Sequence, residues 1–187
     1  TSYPARLYVM EESSEPDVTE PEATEPDVTE PSVEVPTYVT SVEAGKEYKL
    51  GFVQGSNGNV LMFFNGEVAN KYYGGSTESW DDAVTVVLET ANGGYYLSYT
   101  KADGTKMYVN VVASGTYTNF TMAETASSVY TFDTEYNTLV TNLGDKVCYL
   151  GTYNTYNTFS ASTYDKISNA TSYPARLYVM EESSEPD

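Results

Sequence analysis

The chain has 187 residues, with 9 Lys+Arg against 27 Asp+Glu for a net charge of −18, no histidine, one cysteine and 19 tyrosines. Without histidine there is no Ser-His-Asp or Cys-His machinery and no imidazole ligand, and one cysteine excludes an internal disulfide or a thiolate zinc site. The charge opposes nucleic-acid phosphates, and no apolar run approaches the roughly 20 residues that span a bilayer, so neither nucleic acid nor membrane insertion is expected.

Residues 1–17, TSYPARLYVMEESSEPD, recur letter for letter as residues 171–187. The offset is 170 residues, which reads as one period of a tandem array plus a short overlap. An engineered duplication is the alternative. On the array reading, residues 1–10 are the closing strand of the preceding repeat. Their assembly residues are Tyr3, Leu7, Tyr8, Val9 and Met10, a β-prone apolar set that seeks an exposed strand edge or a vacant slot. The partner expected for it is the protein itself, as neighbouring repeats or subunits.

Residues 11–36 are read as a linker. Prolines recur every fifth residue at Pro16, Pro21, Pro26, Pro31 and Pro36, within E-P-x-V/A-T pentads, and residues 11–36 hold ten acids and no base. Each proline fixes φ and removes a donor, and the like charges repel. An extended, polyproline-II-like spacer follows, with a reach on the order of 80 Å at about 3.1 Å per residue. The threonines could also carry O-linked sugars, as in Ser/Thr/Pro-rich stalks.

Residues 37–180 are read as the folded domain, with residues 181–187 opening the next linker. This span holds 13 acids and 8 bases, so the extreme acidity belongs to the connectors. It is rich in Tyr, Val, Thr and Phe, with turn signals at Asn57-Gly58, Asn92-Gly93-Gly94, Asp103-Gly104 and Gly144-Asp145. An all-β fold is expected. Three strand pairs align, YKLGFVQGSNGNVLMF from Tyr48, YYLSYTKADGTKMYVN from Tyr95 and NTLVTNLGDKVCYLG from Asn137. Leu50, Leu97 and Leu139 coincide, as do Val60, Met107 and Val147 after the turns. Weaker third strands surround Tyr72, Phe120 and Phe159. AVTVVLE, SVYTFD and RLYVME follow as fourth strands, with Val86, Tyr130 and Tyr178 equivalent, then Leu88, Phe132 and Met180, on the face that lines the core. Three units of about 45 residues with four strands each form the pattern of a β-trefoil-like pseudo-threefold barrel; the alternatives are another closed barrel or a β-sandwich. SYPARLYVM at 172–180 is then the closing strand, pairing near YKLGFV.

The stretches GKEYKLGFVQGSNGNVLMFFNG, AVTVVLETANGGYYLSYTKADGTKMYVNVVASGTYTN and VCYLGTYNTYNTFSAS, with SYPARLYVM, resemble a β-rich domain of secreted proteins from Gram-positive, Clostridia-like gut bacteria. The resemblance covers nearly all of residues 45–180. It implies an extracellular or cell-surface setting and an accessory or repeated module, and it brings no catalytic residues.

No residues qualify as catalytic, and no cofactor is expected. Asp81 and Asp82 are adjacent, so on a strand they would point to opposite faces, unlike a glycosidase pair across a cleft. They read as a solvated turn. A calcium ion on turns such as Ser56–Asn59 is the remaining metal option. Tyr72, Tyr73, Trp80, Tyr153 and Tyr156 are candidates to stack on sugars, although the Gln-x-Trp repeat of ricin-type trefoils is missing. Cys148, aligned with Leu61 and Tyr108, reads as a buried, inert thiol. The leading expectation is a non-enzymatic structural repeat of an extracellular tandem array or fibre, completed by its closing strand within or between chains. The alternative is a carbohydrate-binding accessory module.

Overall fold

A computed structural model describes residues 33–54, 59–115, 117–153, 156–163 and 172–182. The five assembly residues of the first copy, all the linker up to Ser32, and Ser56–Gly58 of the calcium option lie outside the described residues. The remainder is all-β. Fourteen strands join in one large antiparallel sheet that is not closed, and no helix occurs among the described residues.

The strands fall into three successive groups. The first comprises β1 (Glu34–Tyr38), β2 (Glu47–Gln54), β3 (Val60–Asn70), β4 (Tyr73–Thr77) and β5 (Val86–Ala91). The second comprises β6 (Gly94–Thr100), β7 (Lys106–Ser114), β8 (Tyr117–Ala123) and β9 (Tyr130–Asp133). The third comprises β10 (Thr138–Leu143), β11 (Lys146–Tyr153), β12 (Ser160–Thr163), β13 (Ser172–Pro174) and β14 (Arg176–Glu182).

Each group repeats one pairing plan: β2 with β3 and β3 with β4, β6 with β7 and β7 with β8, β10 with β11 and β11 with β12. Successive groups join through β5–β6 and β9–β10, and β14 returns to β2. The turn signals explain the short connections. β5 reaches β6 through Asn92-Gly93, and Gly93 stands at φ 86°, where only glycine is free of strain.

The plan serves one core. Leu50, Leu97 and Leu139 are fully buried and belong to the same cluster, as their alignment predicts. Val86, Leu88 and Tyr130 join them from the fourth strands. A second layer is aromatic. Phe52, Phe64, Phe120 and Phe159 meet with ring centroids 4.8–5.9 Å apart. Backbone contacts between groups fix this plug: Gly74 and Phe159 exchange hydrogen bonds of 2.9 and 2.8 Å, and Phe120 N–H donates to Tyr72 O at 3.2 Å. Gly74 is needed there, because a Cβ would sit 2.6 Å from the Phe120 ring. The third strands anticipated around Tyr72, Phe120 and Phe159 therefore converge.

Three alignments shift, that of β14 by three residues. In β14 it is Leu177 that is fully buried in the main core, with Val179 packed beside it; Tyr178 is buried in a separate cluster on the opposite face, and Met180 is exposed. Leu177 lies opposite Leu50 as Leu88 lies opposite Leu97 and Phe132 opposite Leu139, so Leu177 is the counterpart of Leu88, and the buried Ala175 that of Val86 and Tyr130. A slip by an odd number of residues exchanges the two faces of a strand. Cys148 is buried as expected, but it pairs with Thr141, in the place that Met62 and Met107 occupy opposite Phe52 and Tyr99. Val147 points outward rather than matching Val60 and Met107, which pack on the core.

The domain boundary also moves. The last pentad proline, Pro36, lies inside β1, which pairs with β14 from Glu34↔Glu182 to Tyr38↔Tyr178. The sheet therefore includes residues 34–36 of the anticipated linker and, at the other end, Glu181 and Glu182. A proline is tolerated because β1 forms one end of the sheet.

Candidate functional site

Two surfaces carry the residues singled out from sequence. The first is the slot of the closing strand, seen through the second copy of the duplicated segment. Tyr173, Leu177, Tyr178, Val179 and Met180 occupy the positions of Tyr3, Leu7, Tyr8, Val9 and Met10. The copy divides at Ala175. β13 pairs with β11, and β14 runs between β1 and β2 with Leu177 opposite Leu50. Leu177 fills the core, which contributes about 1.5–3 kcal/mol for a side chain of its size. Ala175 N–H donates to Leu150 O at 2.9 Å, and Val39 N–H donates to Leu177 O at 2.8 Å.

The other face of the strand is covered too. Tyr178 packs edge-on against Phe63 at 5.7 Å and Tyr38 at 6.2 Å. Burial pushes its phenol up, and the neighbouring Arg176 partly counters this. The Arg176 guanidinium lies 4.7 Å from the Tyr38 ring centre, and its Nε donates to Tyr136 O at 3.0 Å. On the β10 side, Thr138 Oγ1 donates to Ala175 O, with Leu150 O also within reach at 3.1 Å. Arg176, Thr138 and Tyr38 were not singled out from sequence. Their roles depend on which strands become neighbours, and no local pattern encodes that.

The second surface is a tyrosine cluster. Tyr73 and Tyr156 stack with centroids 5.9 Å apart and planes at 27°. Tyr72 meets Tyr73 edge-on at 6.4 Å, and Tyr153 meets Tyr156 at 6.3 Å. Four of the five predicted sugar-stacking aromatics are thereby brought together, Tyr72 and Tyr73 from the turn into β4, Tyr153 from the end of β11 and Tyr156 from beyond it. Tyr156 is about half exposed, while the other three are intermediate. The backbone holds the rings in place: Tyr156 N–H donates to Tyr153 O, Thr152 Oγ1 to Tyr156 O, and Ser76 Oγ to Asn157 O. Burial and the three neighbouring phenols raise the Tyr73 ionisation. Lys71 Nζ sits 4.5 Å from the Tyr72 ring centre.

Trp80 is elsewhere. It packs edge-on against Phe63 at 5.2 Å, with Lys49 Nζ 5.8 Å from its ring. Lys49 donates to Ala83 O and Thr85 Oγ1, and desolvation lowers its ionisation despite Asp81 and Glu47 nearby. An open cavity of about 320 Å³ lies here, lined by Trp80, Lys49, Glu47 and Tyr178 among others. Asp81 and Asp82 form the exposed turn anticipated for them, tied by Asp82 N–H to Ser79 Oγ and Ala83 N–H to Trp80 O. Burial raises the Cys148 thiol, which keeps it in its unreactive protonated form. Among the described residues, no three His, Cys, Asp or Glu side chains gather where a metal ion could be held.

No protein family, curated protein or solved structure matches this chain.

Proposed function

We propose that the chain is one repeat of an extracellular tandem array on a Gram-positive bacterium, each repeat a β-trefoil-like bead on an acidic linker. The observation that carries this reading is the place of the duplicated segment. The second copy is β13 and β14, an internal strand pair of the bead, and the first copy precedes a linker that leads straight into β1. One sequence is thus both the end of a bead and the start of the path to the next. The trefoil reading rests on the threefold pairing plan, with Leu50, Leu97 and Leu139 equivalent around one core.

The geometry of the ends sharpens the role of each part. Glu34 and Glu182 are directly paired, so the chain enters and leaves the bead at adjacent points. A bead attached this way hangs beside the line of the array. The span between beads is set by residues 13–33, which reach about 65 Å when extended. Limited proteolysis of a chain of three consecutive repeats tests this. The expected products are resistant fragments bounded near residues 34 and 182. Cleavage inside the bead at the rate of the linker would sink the reading.

The tyrosine cluster supports a second reading, a carbohydrate-binding module repeated for avidity. Tyr73 and Tyr156 offer stacked rings beside the partly buried Tyr72 and Tyr153. Glycan-array binding that is lost in Tyr156→Ala, with unfolding unchanged, would establish it. An array blank for the parent chain would reject it.

A further inference from the structure

We propose that the slot between β1 and β2 accepts either copy of the closing strand, so that Arg6–Glu12 of the same chain can replace Arg176–Glu182. This rests on the bead-and-linker reading and adds an exchange to it. The two segments are identical, so every contact described for β14 is available to the first copy. That includes the Leu177 site in the core, the Tyr178 site against Phe63 and Tyr38, and the Arg176 contacts to Tyr38 and Tyr136 O. The preceding residues match too, so Ser2–Pro4 can take the β13 place beside β11.

The connection permits it. β1 is the strand into which the linker runs, and it pairs antiparallel with the slot's occupant from Glu34↔Glu182 onward. The first copy would place Glu12 against Glu34 and close residues 13–33 as a hairpin loop of 21 residues. The resident copy is tied in by residues 164–171, a connection of eight. Loop closure scales with length to the power three-halves, so the resident copy is favoured by about fourfold on this count alone. The repulsion among the loop's acids adds to that preference. The exchange is therefore a minority state at rest, within reach of a pull or a partner.

In an array the exchange changes length. When each bead is closed by its own last strand, 21 residues join it to the next. When each is closed by the strand before its linker, that linker becomes a loop on the bead, and eight residues join neighbours. At about 3.4 Å per extended residue the connector shrinks to about 27 Å. The same sequence thus supports a long and a short spacing without a change in the bead.

Paired substitutions in the full chain test the proposal. Leu177→Asp evicts the resident copy by placing a charge in the core, and Leu7→Asp disables the first copy. Reaction of Cys148, which is fully buried, with a thiol reagent reads the state of the bead. Both single variants are expected to remain monomeric and to react at least roughly 100-fold slower than the double variant, which exposes the thiol. Three results would overturn the proposal. Leu177→Asp alone could react as fast as the double variant. Leu177→Asp could be protected only as a concentration-dependent oligomer, which assigns the exchange to separate chains. The double variant could remain protected, which means that the slot needs neither strand. None of these outcomes touches the proteolysis of a three-repeat chain, on which the array reading is judged.

Discussion

Two of the three seams at which a fourth strand meets the first strand of its own group are built differently. At the seam between β6 and β9, backbone meets backbone. Tyr95 pairs with Tyr130, and the chains approach so closely that a Cβ on Gly94 would lie 2.1 Å from Tyr130 O. At the seam between β10 and β14 there is no ladder. The strands are joined by Thr138 Oγ1 to Ala175 O and by Arg176 Nε to Tyr136 O. The first seam leaves no room for alternatives. The second lets β14 be held by β1 and β2 and finished by two side chains. A strand attached in this way can be replaced by another of the same sequence.

The comparison is broken most severely at the first seam. Gly94→Val drives a branched side chain into the Tyr130 backbone, which cannot yield as a flexible side chain would. A loss on the order of 3 kcal/mol is expected, read as the shift in the urea midpoint at unchanged slope. Thr138→Val keeps the volume at the second seam but removes its hydroxyl donor. The Ala175 carbonyl loses its side-chain partner, while Leu150 O keeps the Ala175 N–H, and about 1–3 kcal/mol goes with the loss. Amide exchange should separate the two variants, because Thr138→Val frees β14 while Gly94→Val weakens the whole bead.

Alkaline pH acts on the seams unequally. Tyr130 is fully buried at the first seam, donates to Val109 O, and is held neutral by desolvation. Tyr99, in the same core, is pushed up to about 12 by burial and by Glu67. Unfolded phenols ionise near 10. The stability from these groups is therefore complete below about pH 10 and is lost as the pH rises toward 12. Denaturation followed from pH 8 to 11.5 should show this decline, and Tyr99→Phe should reduce its slope. A flat profile would contradict the burial of these phenols. At the second seam, Arg176 opposes the rise of the Tyr178 phenol, so its share of the decline is smaller.

The smallest effect is expected from Arg176→Lys. Lysine keeps the charge near Tyr38 but loses the planar fork that reaches Tyr136 O while lying on the ring. A loss below about 1 kcal/mol is expected.

How much of this was readable in the sequence depended on how many faces of a strand are covered. Leu50, Leu97 and Leu139 were legible from their common place in three strand–turn–strand segments, and Val86 with Leu88 from their spacing of two, although Val140 beside Leu139 is buried in a separate cluster. β14 defeats the rule. Leu177 and Val179 face one cluster while Tyr178 stands in another, so both registers look apolar and the alignment slipped. β1 was hidden for another reason. Val35-Pro36 continues the pentads of an acidic linker, and nothing local shows that the strand beside it supplies its pairing. Of the proposed sugar-stacking residues, Tyr72, Tyr73, Tyr153 and Tyr156 were chosen as surface aromatics and do meet. Trp80 was chosen on the same ground, yet it packs over Phe63 because the Ser79–Asp82 turn folds it back.

The replaceable closing strand is the centre of this account, and amide hydrogen exchange tests it most directly. A chain beginning at Ser13 leaves one copy of the duplicated segment, so its amides are unambiguous. The account predicts that amides in Arg176–Glu182 exchange through an opening that leaves Gly94–Thr100 and Tyr130–Asp133 protected. Equal protection across all three strands, lost together with denaturant, would contradict it.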